Sequence, residues 1–370
     1  MANRDDETQP RSLAEIRQAI DHVDSQLIQL LSERVRLAQE VGALKGLDGQ
    51  PFFTPERERQ IYDRLAKLDA DPLKPDHLVA IFREIISAAR AAEKPLGIAY
   101  WGPPGTFSHL AAIETFGRSV NLSPISSIQE IFLAVERKQV DYGIVPIENS
   151  TAGVVPETLD MFPRTNVKIC AETFIDVHHH LASMATDLRD IRHVYAGPQP
   201  ASQCRMWLKD NLPQAEIVDV VPTSRAAEKA KADPHGAAVV NSLAVELLGL
   251  GTLAEHIEDN ANNRTRFVVL GFNEPAQSGS DKTSLMFNLK NRPGELYKVL
   301  GSFLTHNVNL MMIESRPAQR ASFEYIFYVD CAGHRLDINV ERALGEIREH
   351  ALETVILGSY PSSDPALASG

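Results

Sequence analysis

Cysteine, positive charge and long apolar runs are all scarce in this chain. Its three cysteines, Cys170, Cys204 and Cys331, are an odd, scattered set without CxxC spacing. They offer no disulfide framework and no zinc cage, and they fit reduced thiols in the cytoplasm. No apolar run nears the ~18 residues of a membrane span. The first eleven residues are polar and lack the apolar core of a secretory signal. A net charge of −12 argues against a nucleic-acid surface. It also means that an anionic substrate must be met by local clusters of cations. One run, His178-His179-His180, looks metal-like. Consecutive residues on a strand point to opposite faces, however, which favours a structural or hinge role and leads us to expect no metal.

At 370 residues, with 44% apolar and 23% charged, the chain is long enough for two or three soluble domains. The first begins at Ser12-Leu13-Ala14-Glu15, a capping-box pattern. Ile16, Ile20, Val23, Leu27, Leu30, Arg34, Leu37 and Val41 then recur at spacings of four and three, which is a heptad seam. Gly46, Gly49 and Pro51 are expected to end a helix roughly 50 Å long. A second helix should start at Thr54-Pro55-Glu56, and a third should carry Leu78, Ile81, Phe82, Ile85, Ile86 and Ala89 on one face. Two short helices cannot cover so long a seam, so a homodimer or higher homo-oligomer sharing the long helices is expected. Arg34 occupies a seam position that calls for an apolar side chain. A buried guanidinium without a partner is costly, so either an acidic residue or an anionic ligand should meet it. Lys45 lies three turns on, near the same face, whereas Arg17 is roughly 100° around the helix. The pattern alone also fits a coiled coil with one register-setting polar residue.

Residues 12–94 resemble the all-α chorismate mutase domain, in Ile16-Arg17, Leu31-Ser32-Glu33-Arg34, Glu40-Val41-Gly42-Ala43-Leu44-Lys45 and Pro55-Glu56-Arg57-Glu58-Arg59. The resemblance implies that Arg34, Lys45 and the other protomer's Arg17 bind the carboxylates and ether oxygen of chorismate. It places Arg57 and Glu58 on substrate and Glu93 at the ether oxygen, and it puts Ala89 where some relatives carry a hydroxyl. This rearrangement to prephenate needs no nucleophile and no cofactor, only a held conformer and stabilised charge.

From Gly97 short apolar strands alternate with helices. Several strands end in Gly, Ser, Thr or Asn ahead of a helix, as in Gly102-Pro103-Pro104-Gly105-Thr106-Phe107-Ser108 and Glu148-Asn149-Ser150, and again in Gly197-Pro198-Gln199-Pro200 of a second lobe. Helix N-termini favour anions, although each hydroxyl is also an ordinary cap. The glycine loop lacks P-loop and GxGxxG spacing, which disfavours nucleotides. With Gln203-Cys204 and Thr265-Arg266-Phe267, residues 96–271 resemble prephenate dehydratase. That implies a two-lobed α/β fold like periplasmic binding proteins. Thr265 would be the catalytic hydroxyl, and Thr106, Ser108, Asn149, Ser150, Gln203, Arg266 and Phe267 would line the prephenate site. No metal or organic cofactor is required.

Gly271 to Ser280 reads as a linker. Beyond it the expected order, strand, helix, strand, strand from Phe323, helix, strand, is the α+β ferredoxin-like split βαβ. Residues 281–360 resemble the ACT regulatory domain, with Glu314-Ser315-Arg316-Pro317 matching a motif of phenylalanine-regulated dehydratases. Gly294, Leu296 and that motif would then bind L-phenylalanine. Tyr297 puts bulk where relatives often carry valine. Two other readings stay open: a non-enzymatic amino-acid sensor with a two-lobed core, and a dehydratase whose mutase domain has lapsed or which prefers arogenate.

Overall fold

The computed structural model describes residues 11–48, 50–221, 224–317 and 325–363. The first helix, α1 (Leu13–Asp48), starts where the capping box puts it: Ser12 N–H donates to Glu15 Oε2 at 2.8 Å and Glu15 N–H to Ser12 Oγ at 3.3 Å. It runs through Gly46, because one glycine lowers helix stability by only about 1 kcal/mol; Gly49 lies outside the described residues. Two further helices follow, α2 (Pro55–Leu65) and α3 (Pro75–Glu93). The heptad seam does not face them. Ile20, Leu27, Leu30, Leu37 and Val41 are exposed, and the face turned to α3 carries Arg34, Ala38, Gly42 and Lys45 instead. Gly42 sets that packing, since a Cβ there would lie 3.0 Å from the Glu93 side chain.

The middle of the chain forms two α/β lobes. The first sheet runs Asn121–Ile125, Gly97–Trp101, Tyr142–Asn149, Arg264–Gly271, Lys168–Asp176. Its first three strands are parallel, and Arg264–Gly271 is antiparallel to both neighbours. The second sheet repeats the order with Glu216–Asp219, His193–Ala196, Gly236–Val240, His180–Ser183, Gly251–Ala254. The chain crosses between lobes twice, after Asp176 and after Ala254. The helical segment is fastened to lobe one. Phe53 and Leu96 enter its core, and the buried Arg90 guanidinium lies 5.3 Å from the Phe53 ring and 5.7 Å from that of Phe116.

The C-terminal strands form one antiparallel sheet in the order Leu310–Pro317, Tyr325–Ala332, Asp281–Asn288, Glu353–Pro361. Phe323, the expected start of one strand, lies outside the described residues. Both helices, Glu295–Thr305 and Ile338–His350, pack on one face through Val299, Phe303, Leu344 and Ile347. The other face is not free. Met286, Tyr328, Leu357 and Tyr360 join Val145, Ile169 and Val268 in a core shared with lobe one. At Gly358 a Cβ would stand 2.1 Å from the Ile169 carbonyl oxygen, so only glycine allows this approach.

Polar groups cross the same interface. Arg266, 3% exposed, donates to Glu172 at 2.7 Å, to Asp330 at 2.5 Å and to the Tyr360 hydroxyl at 3.0 Å. Lys282 meets Glu172 at 3.0 Å, and Ser284 donates to Asp330 at 2.5 Å. The stretch from Gly271 to Ser280 therefore joins two bodies that share a core, and does not work as a loose linker. Asp330→Ala would strand the Arg266 charge, and breaking one partner of a buried pair typically destabilises by about 3–5 kcal/mol. Equilibrium denaturation of the full chain should show that loss. A loss below about 1 kcal/mol, the range of a surface pair, would contradict the buried network.

Candidate functional sites

Two clusters of chemistry-bearing side chains emerge, one on the helices and one at the sheet edges. The first sits where α1, α2 and α3 meet. Arg34 and Lys45 project from the α1 face turned to α3, Glu93 from the last turn of α3, and Glu58 from α2. Lys45 Nζ is 3.4 Å from the Phe52 carbonyl oxygen, and Arg90 pairs with Glu58 at 3.2 Å. Burial pushes the Glu93 carboxyl up, against the opposing pull of Lys45, Arg90 and Arg34. Its Oε2 is buried without a hydrogen-bond partner. Burial likewise raises Glu58 and lowers Arg34. The site therefore sets cations beside a carboxyl biased toward its neutral, donating form, and such a set can hold an anion and stabilise charge growing on an oxygen.

The second cluster follows from topology. The strands Gly97–Trp101 and Tyr142–Asn149 are parallel, and Arg264–Gly271 runs back antiparallel, so the ends of the first two and the start of the third share one edge. The helix Phe107–Phe116 starts at the same edge with Thr106 as its N-cap. Lobe two offers its own helix start, capped by Asn241, and the lobes come close at Gly105, where a Cβ would lie 3.2 Å from that of Ala244. Phe107 meets the His179 ring edge-on at 5.6 Å, and His179 Nε2 is 2.7 Å from Gln203 Oε1. Such an edge is the usual place for a small ligand in α/β lobes.

Thr265 pairs with Asn149 across the strands. Asn149 Oδ1 accepts from the backbone N–H groups of Thr151 at 3.0 Å and Ala152 at 2.9 Å, which fixes the amide orientation. The Asn149 NH2 then donates to Asn263 at 2.8 Å and to Thr265 Oγ1 at 2.9 Å. An accepting hydroxyl keeps its own proton to give, and among the described residues nothing accepts it.

Several expected site residues are positioned for other work. Adjacent strand residues face opposite sides, so Arg266 turns away from the Thr265 edge into the C-terminal interface. Phe267 is 2% exposed in the core of lobe one, not at the edge. Thr106 spends its hydroxyl on the cap of His109 N–H and on the Pro103 carbonyl at 3.1 Å. Ser150 accepts from Arg264 N–H at 2.9 Å, while Ser108 is buried at the helix start. Arg57 is exposed and bonded to Gln60 at 3.2 Å. Arg17 is exposed 17 residues from Arg34, roughly 25 Å along the helix. Arg316 makes a two-pronged pair with Asp160 of lobe one at 3.1 and 3.2 Å. Arg90, His179 and Asn263 were missed. Arg90 and Asn263 carry no local signal, whereas His179 was visible in the triple-histidine run.

Chorismate mutase type II matches residues 16–94 and prephenate dehydratase residues 98–275. A bifunctional chorismate mutase/prephenate dehydratase of Aquifex aeolicus (strain VF5) is 41% identical over 355 residues, covering 95% of this chain and 98% of that one. The solved structure of a prephenate dehydratase from Arthrobacter aurescens in complex with L-Phe is 31% identical, with a TM-score of 0.67 over 73% of this chain and 91% of that one. A structure described as a novel type of quorum quenching acylase is 30% identical, also with a TM-score of 0.67, over 72% of this chain and 98% of that one.

Two outcomes follow from the geometry. If neutral Glu93 is the donor, mutase kcat/KM should fall as pH rises from 5 to 9, because the raised carboxyl loses its proton. Glu93→Gln, a donor that does not titrate, should flatten that fall. Identical profiles would remove Glu93 from this role. At the other site, Thr265→Ala should lower dehydratase turnover by about 10²-fold or more. Asn149→Asp, which can only accept from Thr265 when ionised, should do nearly as much while sparing the mutase. Normal turnover of Asn149→Asp would show that the amide does not orient the hydroxyl.

Proposed function

The chain belongs to the family of bifunctional chorismate mutase/prephenate dehydratases and carries both enzyme domains, and on that premise we propose how its residues divide the work. The observation that carries the reading is the Asn149 amide donating to Thr265 Oγ1 at 2.9 Å, which leaves the Thr265 proton to be given away. Prephenate sits at the facing edges of the lobes, with Asn149, Gln203 and the helix starts around it. Carbon dioxide leaves the ring as the 4-hydroxyl departs. Thr265 delivers a proton to that oxygen, so that water leaves and phenylpyruvate forms. The threonine is a weak acid and acts within the Asn149 and Asn263 set, recovering its proton from solvent.

At the helical site Arg34 and Lys45 bind the carboxylates and ether oxygen of chorismate, and Glu93 donates to that oxygen as the bond breaks. Glu58 receives the substrate hydroxyl, and Arg57 joins only by leaving Gln60. Arg17 comes from a second protomer. The exposed apolar seam of α1 supports such a homodimer, because a stripe that long is unusual on a monomer surface.

The C-terminal module is read as an ACT domain that senses L-phenylalanine. Lys290, Arg292, Glu295, Leu296, Tyr325 and Phe327 line a cleft that pairs charges of both signs with apolar surface, as a free amino acid requires. Tyr325 and Phe327 pair with Pro317 and Ser315 of the Glu314–Pro317 motif. Gly294 caps the helix beside the cleft, and Tyr297 points to solvent, so its bulk leaves the cleft open. The match to the L-Phe complex, spanning more of this chain than the dehydratase model does, supports the reading.

Incubated with chorismate, the purified protein should form phenylpyruvate, and phenylalanine should slow the second step. Arg34→Ala should leave chorismate unconverted yet still consume added prephenate. Near-normal chorismate turnover by that variant would overturn the mutase assignment, and a dehydratase indifferent to phenylalanine would overturn the sensor.

A further inference from the structure

The two crossings between the lobes bring together side chains that neither reaction uses. His178 lies on the outgoing crossing, while His256 and Glu258 lie on the return. His178 Nδ1 is 2.7 Å from Glu258 Oε1, and His256 Nδ1 is 3.7 Å from the same oxygen. All three ligand atoms fall within 4.8 Å of one another. The Glu258 side chain is 2% exposed, and among the described residues no lysine or arginine pairs with it. Its other oxygen accepts from His179 N–H at 2.8 Å. A third ring, His180, is 5.4 Å from that of His256; it is 9% exposed, and its Nδ1 has no hydrogen-bond partner. His179 turns its ring to Gln203, while the rings of His178 and His180 both lie near that of His256.

We propose that His178, His256 and Glu258 form a binding site for a divalent metal of the zinc class, with solvent completing the coordination. Two imidazoles and a carboxylate are the donor set that zinc takes, and metal–ligand bonds of about 2.0–2.2 Å in a tetrahedron put donor atoms roughly 3.3 Å apart. The separations of 2.7 and 3.7 Å straddle that value. The partial exposure of His178 and His256 gives the ion a way in. The metal takes the Nδ1 lone pair of each histidine, so any proton shared by His178 and Glu258 moves to Nε2 or to solvent. A bound ion ties the outgoing crossing to the returning one, and so restrains how the lobes move about the dehydratase site while leaving the helical site untouched.

The test uses the full-length protein and zinc alone. Competition with a chromophoric chelator should give one site per chain, and His256→Ala should weaken it by about 100-fold or more. Cobalt in place of zinc should give the visible spectrum of a tetrahedral nitrogen and oxygen site without thiolate charge transfer. Zinc should slow dehydratase turnover but not mutase turnover. A chelator should reverse this, and His256→Ala, with its mutase rate reporting an intact fold, should escape it. Zinc affinity unchanged in both His178→Ala and His256→Ala, or no stoichiometric binding, would overturn the site. Binding with no effect on the dehydratase would overturn the restraint.

Discussion

A guanidinium buried between two bodies holds this molecule in one piece. Arg266 stands on the strand whose preceding residue is Thr265, and its side chain is met by Glu172 of the neighbouring strand and by Asp330 and Tyr360 of the C-terminal sheet. Burial alone would push its charge off. The nearby Asp330, Tyr360 and Glu172 more than reverse that and hold it well above its ordinary range. A charge this deep needs all its partners, so the C-terminal module cannot leave without exposing both the pair and the apolar core around Val268 and Tyr328. Thr265, the proposed proton donor, and Arg266, which reaches the C-terminal module, are adjacent in the chain and face opposite sides of one strand.

The helical end depends on the same lobe. Arg90 pairs with Glu58 of the helical cluster, while its guanidinium also donates to the Phe116 carbonyl of lobe one at 3.3 Å. Arg59 reaches the end of the C-terminal sheet, donating to the Ser362 carbonyl at 2.6 Å. The mutase helices are therefore packed against both other bodies, and their apolar seam is left exposed. The fold does not settle the chemistry by itself, since a similar structure bears an acylase's description.

What the sequence made legible was local. The Ser12–Glu15 box, the helix start at Thr106 and the split βαβ order follow from neighbouring residues, whereas Thr265 was marked by family resemblance. The apolar seam expected to be shared between protomers is exposed, and α3 packs on a different face of α1, which carries Arg34 and where Ala38 and Gly42 leave room. Arg266 could have been placed, because two adjacent strand residues cannot both face the cleft. Arg90 and the return-crossing partners of His178 could not, since nothing near them in sequence announces a contact some tens of residues away. The weight put on Arg57 and Phe267 came from family likeness, and the packing of this chain leaves one in solvent and the other in the core.

Native-state hydrogen exchange, followed across increasing denaturant, tests the shared interface most directly. If the buried Arg266 network makes dehydratase lobe and C-terminal sheet one cooperative unit, the amides of strands Arg264–Gly271 and Asp281–Asn288 will exchange through a common opening, with the same free energy and the same denaturant dependence. If the C-terminal strands open at a clearly lower free energy while the strand carrying Thr265 and Arg266 stays protected, the module is an appendage and the account is wrong.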